Sequence, residues 1–133
     1  MKIQYRSSMY IIKLLFYLSN LVLYILYLYP GSIIGFLLYG DKRLQPQITH
    51  DFLVSSNHVY VFFVVSILGL ISFKSNLRKI LFYLIFISII LELLHIIIPE
   101  RGFQISDLFG NIVGVMISLL FFKLIKGKLN EYI

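Results

Sequence analysis

The chain has 133 residues, of which 59% are hydrophobic and 14% are charged, and its net charge is +6 at neutral pH. This composition excludes an ordinary soluble domain, because a fold of this size has too little polar surface to cover so much apolar side chain. The absence of cysteine excludes a disulfide framework and every thiolate metal site. The basic residues lie in short clusters between apolar runs, which favours signals of membrane topology over a nucleic-acid surface.

Four apolar segments follow one another along the chain, each near the roughly 20 residues that a membrane-spanning helix needs. The first ends at Pro30 and Gly31, a pair that stops helices, and the last begins at Ser106 and Asp107, a favourable N-cap pair. The sequence therefore predicts an all-α bundle of four transmembrane helices in a single domain, residues 1–133. The predicted helices cover residues 9–29, 54–73, 79–98 and 106–125.

The distribution of lysine and arginine predicts the orientation of this bundle. Three basic clusters flank one side of the four segments, whereas the other side holds only Lys42, Arg43 and Arg101. The positive-inside rule then places both termini and the connection 74–79 in the cytoplasm. The outer segment 31–51 is less regular, since its residues 33–39 are apolar enough to continue the first helix or to lie in the membrane interface.

The polar residues concentrate in the predicted outer half. Glu92 and His95 share one face of the third helix, and a short hairpin brings the fourth helix alongside. A carboxyl group facing lipid is costly, so Glu92 is expected to point inward. These side chains are predicted to form a functional polar cluster, or alternatively to pin the helices together. The candidate residues are His58, Glu92, His95, Arg101, Asp107 and Asn111. Within this cluster Arg101 is predicted to pair with Glu92 or Asp107, and Asn111 to hydrogen-bond Glu92 or His95.

Small residues on the fourth helix predict close helix packing. Gly110 and Gly114 are four residues apart and Ser118 extends the pattern, which lets another helix approach closely. The favoured partner is the third predicted helix of the same chain, with self-association as the alternative. A second stripe, on the first helix, is a candidate surface for hydrogen bonds across the bundle or to another membrane protein. It consists of Tyr10, Tyr17, Asn20, Tyr24 and Tyr27.

The region 92–114 carries a helix acid, a polar residue three positions later, a Pro-x-Arg turn, a Ser-Asp helix start, and then Asn and Gly. These are Glu92, His95, Pro99, Arg101, Ser106, Asp107, Asn111 and Gly114. Their order resembles the core signature of the VanZ-like membrane proteins. Asp41 with Lys42, and His58 with Tyr60, resemble two upstream elements of that family. The chain departs from the pattern in having His95 where Gln is common, and fifteen residues between Lys42 and His58.

The resemblance implies a small multi-pass protein of the bacterial cytoplasmic membrane and cell envelope. The founding member of the family is associated with low-level resistance to a lipoglycopeptide antibiotic, and no reaction is established for the family as a whole. Its polar cleft would face outward and bind a lipid head group, a lipid-linked sugar or another amphiphile. In that hypothesis Arg101 holds a phosphate or carboxylate, and Asn111 and His58 hydrogen-bond the remainder of the ligand.

Two other classes of function remain open. The chain fits a non-catalytic accessory subunit of a larger membrane complex, because it is small and consists of apolar segments with short connections. An enzyme acting on a lipid-linked substrate would use His58 or His95 with Glu92 or Asp107 as an acid/base pair. The spacing of Glu92 and His95 occurs in di-metal helix bundles, but those need a second copy of the motif. The predicted helices contain no second copy, so the sequence predicts no metal and no cofactor. The clustering of the basic residues between apolar runs likewise predicts no nucleic-acid partner.

Overall fold

The computed structural model describes the backbone of residues 2–132 and the side chains of residues 7–128. Within these residues it contains five α-helices and no strand, so the all-α prediction is confirmed. A short 3-10 turn, Lys74–Asn76, separates the third and fourth helices. The helices are α1 (Lys2–Leu28), α2 (Ile33–Tyr39), α3 (Ser56–Ser72), α4 (Leu77–Leu94) and α5 (Ile105–Tyr132).

The four predicted helices correspond to α1, α3, α4 and α5, with shifted ends. The third predicted helix was expected to reach residue 98, but α4 ends at Leu94. The amides of Ile96 and Ile97 bond three residues back, to Leu93 and Leu94, which tightens the chain into turns before Pro99. This early end brings His95 to the C-cap position of α4.

The connection between α1 and α3 contains a separate helix, α2, so the alternative in which residues 33–39 continue α1 is wrong. Pro30 lacks an amide hydrogen, and Gly31 takes a positive φ of 79° that reverses the chain. Ser32 then caps the new helix, because its hydroxyl oxygen accepts a hydrogen bond of 2.9 Å from the Gly35 amide.

Two helical segments are long and apolar enough to cross a membrane: Ser7–Leu28, with 22 residues, and Ile105–Lys128, with 24. The prediction of four such spans is met only in part. Helix α3 is apolar but has 17 residues. Helix α4 has 18 residues, and three of them are charged: Arg78, Lys79 and Glu92.

The bundle is apolar on the outside and partly polar within. Helix α3 packs most extensively on α5, while α1 lies against α3 and α4. Large apolar side chains such as Phe82 and Leu124 are 75% and 81% exposed. Buried polar side chains occur along the interior of the bundle, among them Asn20, Ser66, Ser72, Ser88, Glu92, His95, Asn111 and Ser118. Such a distribution suits surroundings that are themselves apolar.

Candidate polar binding site

The helix ends that carry the polar residues meet at one end of the bundle. The last turns of α1 and α4 meet the first turns of α3 and α5 there. Helix α1 contributes Tyr27 and α3 contributes His58, while α4 and α5 supply the remaining side chains. We call this group the outer cluster, after the side of the bundle on which the sequence predicts it to lie, and its members are Tyr27, His58, Ser88, Glu92, His95, Asp107 and Asn111.

Asn111 is the centre of the outer cluster and is fully buried. Its amide nitrogen donates to the carbonyl oxygen of Ser88 at 2.9 Å. Its oxygen accepts from the Tyr27 hydroxyl at 2.7 Å and lies 2.8 Å from Nδ1 of His58. A carbonyl only accepts, so the amide nitrogen must face Ser88 and the oxygen must face His58. His58 therefore carries its hydrogen on Nδ1, and Nε2 of the neutral ring is left with a lone pair.

The partners of Asn111 differ from those predicted. It was expected to bond Glu92 or His95, but among the described side chains it bonds Tyr27 and His58 instead. The reason is the packing of α5 on α3, which turns Asn111 towards α1 and α3. The prediction that His58 reaches the same cluster is confirmed.

The small residues of α5 pack against α3 and not against the third predicted helix, which is α4. A Cβ on Gly110 would lie 2.7 Å from the carbonyl oxygen of Ser55, and one on Gly114 would lie 2.6 Å from that of Val59. Ser118 is fully buried, and its hydroxyl donates to a carbonyl of its own helix. Because α3 covers this face, it is not available for self-association in the folded chain.

Glu92 and His95 form a buried pair at the end of α4. Glu92 is 0% exposed and His95 is 2% exposed. One carboxylate oxygen of Glu92, Oε1, accepts from the amide of Gln104 at 3.1 Å. The other, Oε2, lies 3.2 Å from Nδ1 of His95 and 4.0 Å from Nδ1 of His58. Within the described part of the chain, Oε2 makes no hydrogen bond of acceptable geometry.

The ring of His95 is fixed from both sides. Its Nε2 donates to the carbonyl oxygen of Tyr27 at 3.1 Å. The imidazole of His95 is also stacked on the phenol ring of Tyr27, with the ring centroids 5.3 Å apart. Since Nε2 carries a hydrogen, Nδ1 of a neutral ring is an acceptor facing the carboxylate of Glu92. The contact therefore places two acceptors 3.2 Å apart and leaves Oε2 of Glu92 without a donor from His95.

Arg101 turns back over the bundle but does not pair with Glu92 or Asp107, so that prediction is wrong. No such pair occurs among the side chains that the structure describes. Instead, the guanidinium donates to the backbone carbonyls of Leu26 and Tyr29, the latter at 3.3 Å.

The end of α1 explains this contact. The carbonyl of Leu26 would accept from the amide four residues later, but that residue is Pro30, which has no amide hydrogen. Arg101 supplies the missing donor and places a positive charge at the negative end of the helix dipole. Partial burial lowers the pKa of the guanidinium, and the neighbouring acids oppose that effect.

Two cavities adjoin the outer cluster. A polar cavity of about 280 Å³ opens beside His58, His95 and Asp107. A second cavity, of about 210 Å³, runs between α1, α2 and α3 and is lined by apolar residues such as Leu26, Ile34 and Val61. The two cavities share part of their walls: Ser32, Gln45, Gln47, Asn57, His58 and Arg101.

Sequence reasoning missed the role of Tyr27 in the outer cluster and that of Tyr83 in a second network. The Tyr83 hydroxyl donates to the side-chain oxygen of Asn20 and lies 2.6 Å from the Tyr24 hydroxyl. The stripe on α1 is the signal that pointed to these bonds, because Asn20, Tyr24 and Tyr27 belong to it. Their partners could not be read from spacing along a single helix.

No protein-family model, curated protein or solved structure matches the chain. The chemistry of the outer cluster is therefore the basis for inferring its function. It offers two imidazole–carboxylate pairs, Glu92 with His95 and His58 with Asp107, the latter joined by 3.4 Å between Nε2 and Oδ2. Such groups can hold a proton, bind a cation or hydrogen-bond a polar ligand.

Proposed function

We propose that the chain is a VanZ-like multi-pass protein of the bacterial cytoplasmic membrane that binds an anionic amphiphile at its outer end. The observation that carries the proposal is the pair of adjacent cavities, one polar and one apolar, with His58 and Arg101 in the shared wall. A lipid head group or lipid-linked phosphate would occupy the polar cavity. The first part of its hydrocarbon chain would occupy the apolar cavity.

The lengths of the helices support four membrane crossings. Helices α3 and α4 have 17 and 18 residues. At a rise of about 1.5 Å per residue they reach roughly 26–27 Å, close to a hydrocarbon core about 30 Å thick. The charges of α4 lie near its two ends, Arg78 and Lys79 at one and Glu92 at the other, where the outer cluster shields the acid from lipid.

The polar cavity contains basic side chains that can hold an anionic head group. Lys42, Arg43 and Arg101 line it together with three acids, Asp51, Glu100 and Asp107. Lys42 is 3.1 Å from Glu100, but both side chains are 40% or more exposed. An exposed ion pair contributes about 1 kcal/mol or less, so a phosphate can replace Glu100 as the partner of Lys42. Arg101 is held by the carbonyls of α1 and presents its charge at a fixed position.

Lipid titration tests this binding. The purified protein is reconstituted in nanodiscs of phosphatidylcholine, and a fluorescent phosphatidylglycerol or phosphatidylcholine is titrated in. We expect the anionic lipid to bind more tightly, and Lys42→Gln to weaken its binding by roughly two- to fivefold, the effect of losing one partly exposed charge contact.

The matched control is Arg78→Gln, which removes an exposed charge at the other end of the bundle. It should leave the binding of phosphatidylglycerol unchanged. Equal binding of the two lipids, or an equal loss in the Lys42 and Arg78 variants, would contradict the proposal.

Cysteine labelling tests the topology, and the chain offers a background without native cysteine. Asn76→Cys lies between α3 and α4, whereas Gly102→Cys lies in the α4–α5 connection, where an added side chain meets nothing within 4 Å. We expect a membrane-impermeant maleimide to label position 102 in intact cells and position 76 only after permeabilisation. Labelling of position 76 from outside would refute the proposed orientation.

A further inference from the structure

The outer cluster contains a set of side chains suited to a metal ion. His58, Glu92 and Asp107 each offer a ligand atom, and these atoms all lie within 4.8 Å of one another. They come from three different helices, α3, α4 and α5. We propose that these three residues bind one divalent transition-metal ion, of the class of Zn²⁺ or Mn²⁺. This inference goes beyond lipid binding and does not depend on it.

The carboxylate of Glu92 is the first argument. Its Oε2 atom is buried and lacks a hydrogen bond within the described residues; the nearest ring nitrogens are Nδ1 of His95 at 3.2 Å and Nδ1 of His58 at 4.0 Å. A buried carboxylate oxygen without a donor is destabilising, because it has lost its hydration. A cation held jointly by Glu92, Asp107 and Nε2 of His58 removes this deficit.

The tautomer of His58 is the second argument. Asn111 holds the hydrogen on Nδ1, so the lone pair of Nε2 faces the Asp107 oxygen at 3.4 Å. Two acceptors in such contact need a proton or a cation between them. Ligand bonds of about 2.0–2.1 Å at the tetrahedral angle place two ligand atoms about 3.4 Å apart, which is the observed separation.

The second layer around His58 has the arrangement typical of metal-binding histidines. In such sites the nitrogen that does not bind the ion donates its hydrogen to an oxygen, which fixes the tautomer and the ring orientation. Asn111 and Tyr27 provide these oxygens on the Nδ1 side. The same Asn111 is anchored by the backbone of Ser88, so the imidazole is held in place before an ion arrives.

The charge of the two carboxylates and the position of the site beside the polar cavity also favour a divalent ion. A divalent ion balances the two carboxylates, which lowers the cost of keeping Glu92 and Asp107 in a buried place. His58 and Asp107 both line the polar cavity. An ion bound by three protein ligands at the wall of this cavity has a fourth coordination position open to water or an anion. Catalytic zinc sites, which have three protein ligands, share this arrangement. Rotation of the side chains has to close the widest ligand separation, which is within 4.8 Å, by at most about 1.4 Å.

Metal content tests the proposal directly. The full chain is purified in mild detergent without chelator, and its metals are measured by inductively coupled plasma mass spectrometry. It is then stripped with EDTA and titrated with Zn²⁺, Mn²⁺ or Mg²⁺ in a calorimeter. We expect about one Zn²⁺ or Mn²⁺ per chain, and a loss of affinity of at least tenfold in Asp107→Asn and Glu92→Gln.

The control variant is His50→Gln, because His50 is an exposed histidine outside the outer cluster. It should bind the ion as the unchanged chain does. No binding by the unchanged chain, or an equal loss in His50→Gln, overturns the proposal. Should the cluster variants fail to fold, X-ray absorption spectra of the zinc-loaded unchanged chain decide. One imidazole with oxygen ligands supports the site, and a shell without nitrogen overturns it.

Discussion

Replacement of Asn111 by alanine tests the centre of the outer cluster. The substitution removes three buried hydrogen bonds, to Tyr27, His58 and the carbonyl of Ser88. A buried hydrogen bond contributes about 0.5–1.5 kcal/mol net, so the sum is about 1.5–4.5 kcal/mol. Tyr27 and His58 remain bonded to each other at 2.8 Å, which limits the loss. We therefore expect Asn111→Ala to lower the free energy of unfolding by about 2–3 kcal/mol.

The assay is unfolding by SDS in mixed micelles, followed by circular dichroism at the helix band. Asn76→Ala is the matched control, since Asn76 is exposed and its side chain makes no cap hydrogen bond. It should change the free energy of unfolding by less than about 0.5 kcal/mol. An Asn111→Ala chain as stable as the control would refute the assigned network. Asn111→Asp adds a test of orientation, because its second oxygen would face the carbonyl of Ser88 and destabilise the fold while ionised.

Three further substitutions test other contacts by the same unfolding assay. Gly114→Ala should cost about 1–3 kcal/mol by overpacking the α3–α5 contact, whereas Gly127→Ala, where a Cβ meets nothing within 4 Å, should cost nothing. Arg101→Gln should cost about 1–2 kcal/mol by uncapping α1, and Arg43→Gln, at a side chain 83% exposed, should be neutral. Tyr83→Phe should cost about 1 kcal/mol by breaking its two side-chain bonds. A Gly114 or Arg101 variant as stable as its control would contradict the corresponding contact. So would a Tyr83→Phe chain whose free energy of unfolding is unchanged.

The membership of the outer cluster could be predicted from the sequence, because burial rules apply to single residues. An acid in an apolar helix has to face inward, and Glu92 does. A hairpin between sequential helices has to bring their ends together, which places Asp107 and Asn111 near Glu92. Helix periodicity and the distribution of polar residues were sufficient for these steps.

The pairing inside the cluster could not be predicted, since it depends on the rotation of one helix against another. Gly110 and Gly114 indicate a close contact but do not name the partner, and it is α3. The contact of Arg101 depends on two distant features, the missing amide of Pro30 and the place where the α4–α5 connection crosses the end of α1. Ion-pair reasoning favoured the acids because a backbone carbonyl without a donor cannot be recognised until the helix end is located.

The measurement that tests the proposed binding most directly is native mass spectrometry of the protein with the lipids that leave the membrane with it. Two matched variants on α3 make it specific. Val61→Phe fills the apolar cavity, and Val64→Phe adds the same side chain at a position 52% exposed outside it. We expect the unchanged chain and Val64→Phe to retain one anionic lipid, and Val61→Phe to lose it. Retention of the same lipid by Val61→Phe, or an unchanged chain that carries none, would contradict the proposed binding.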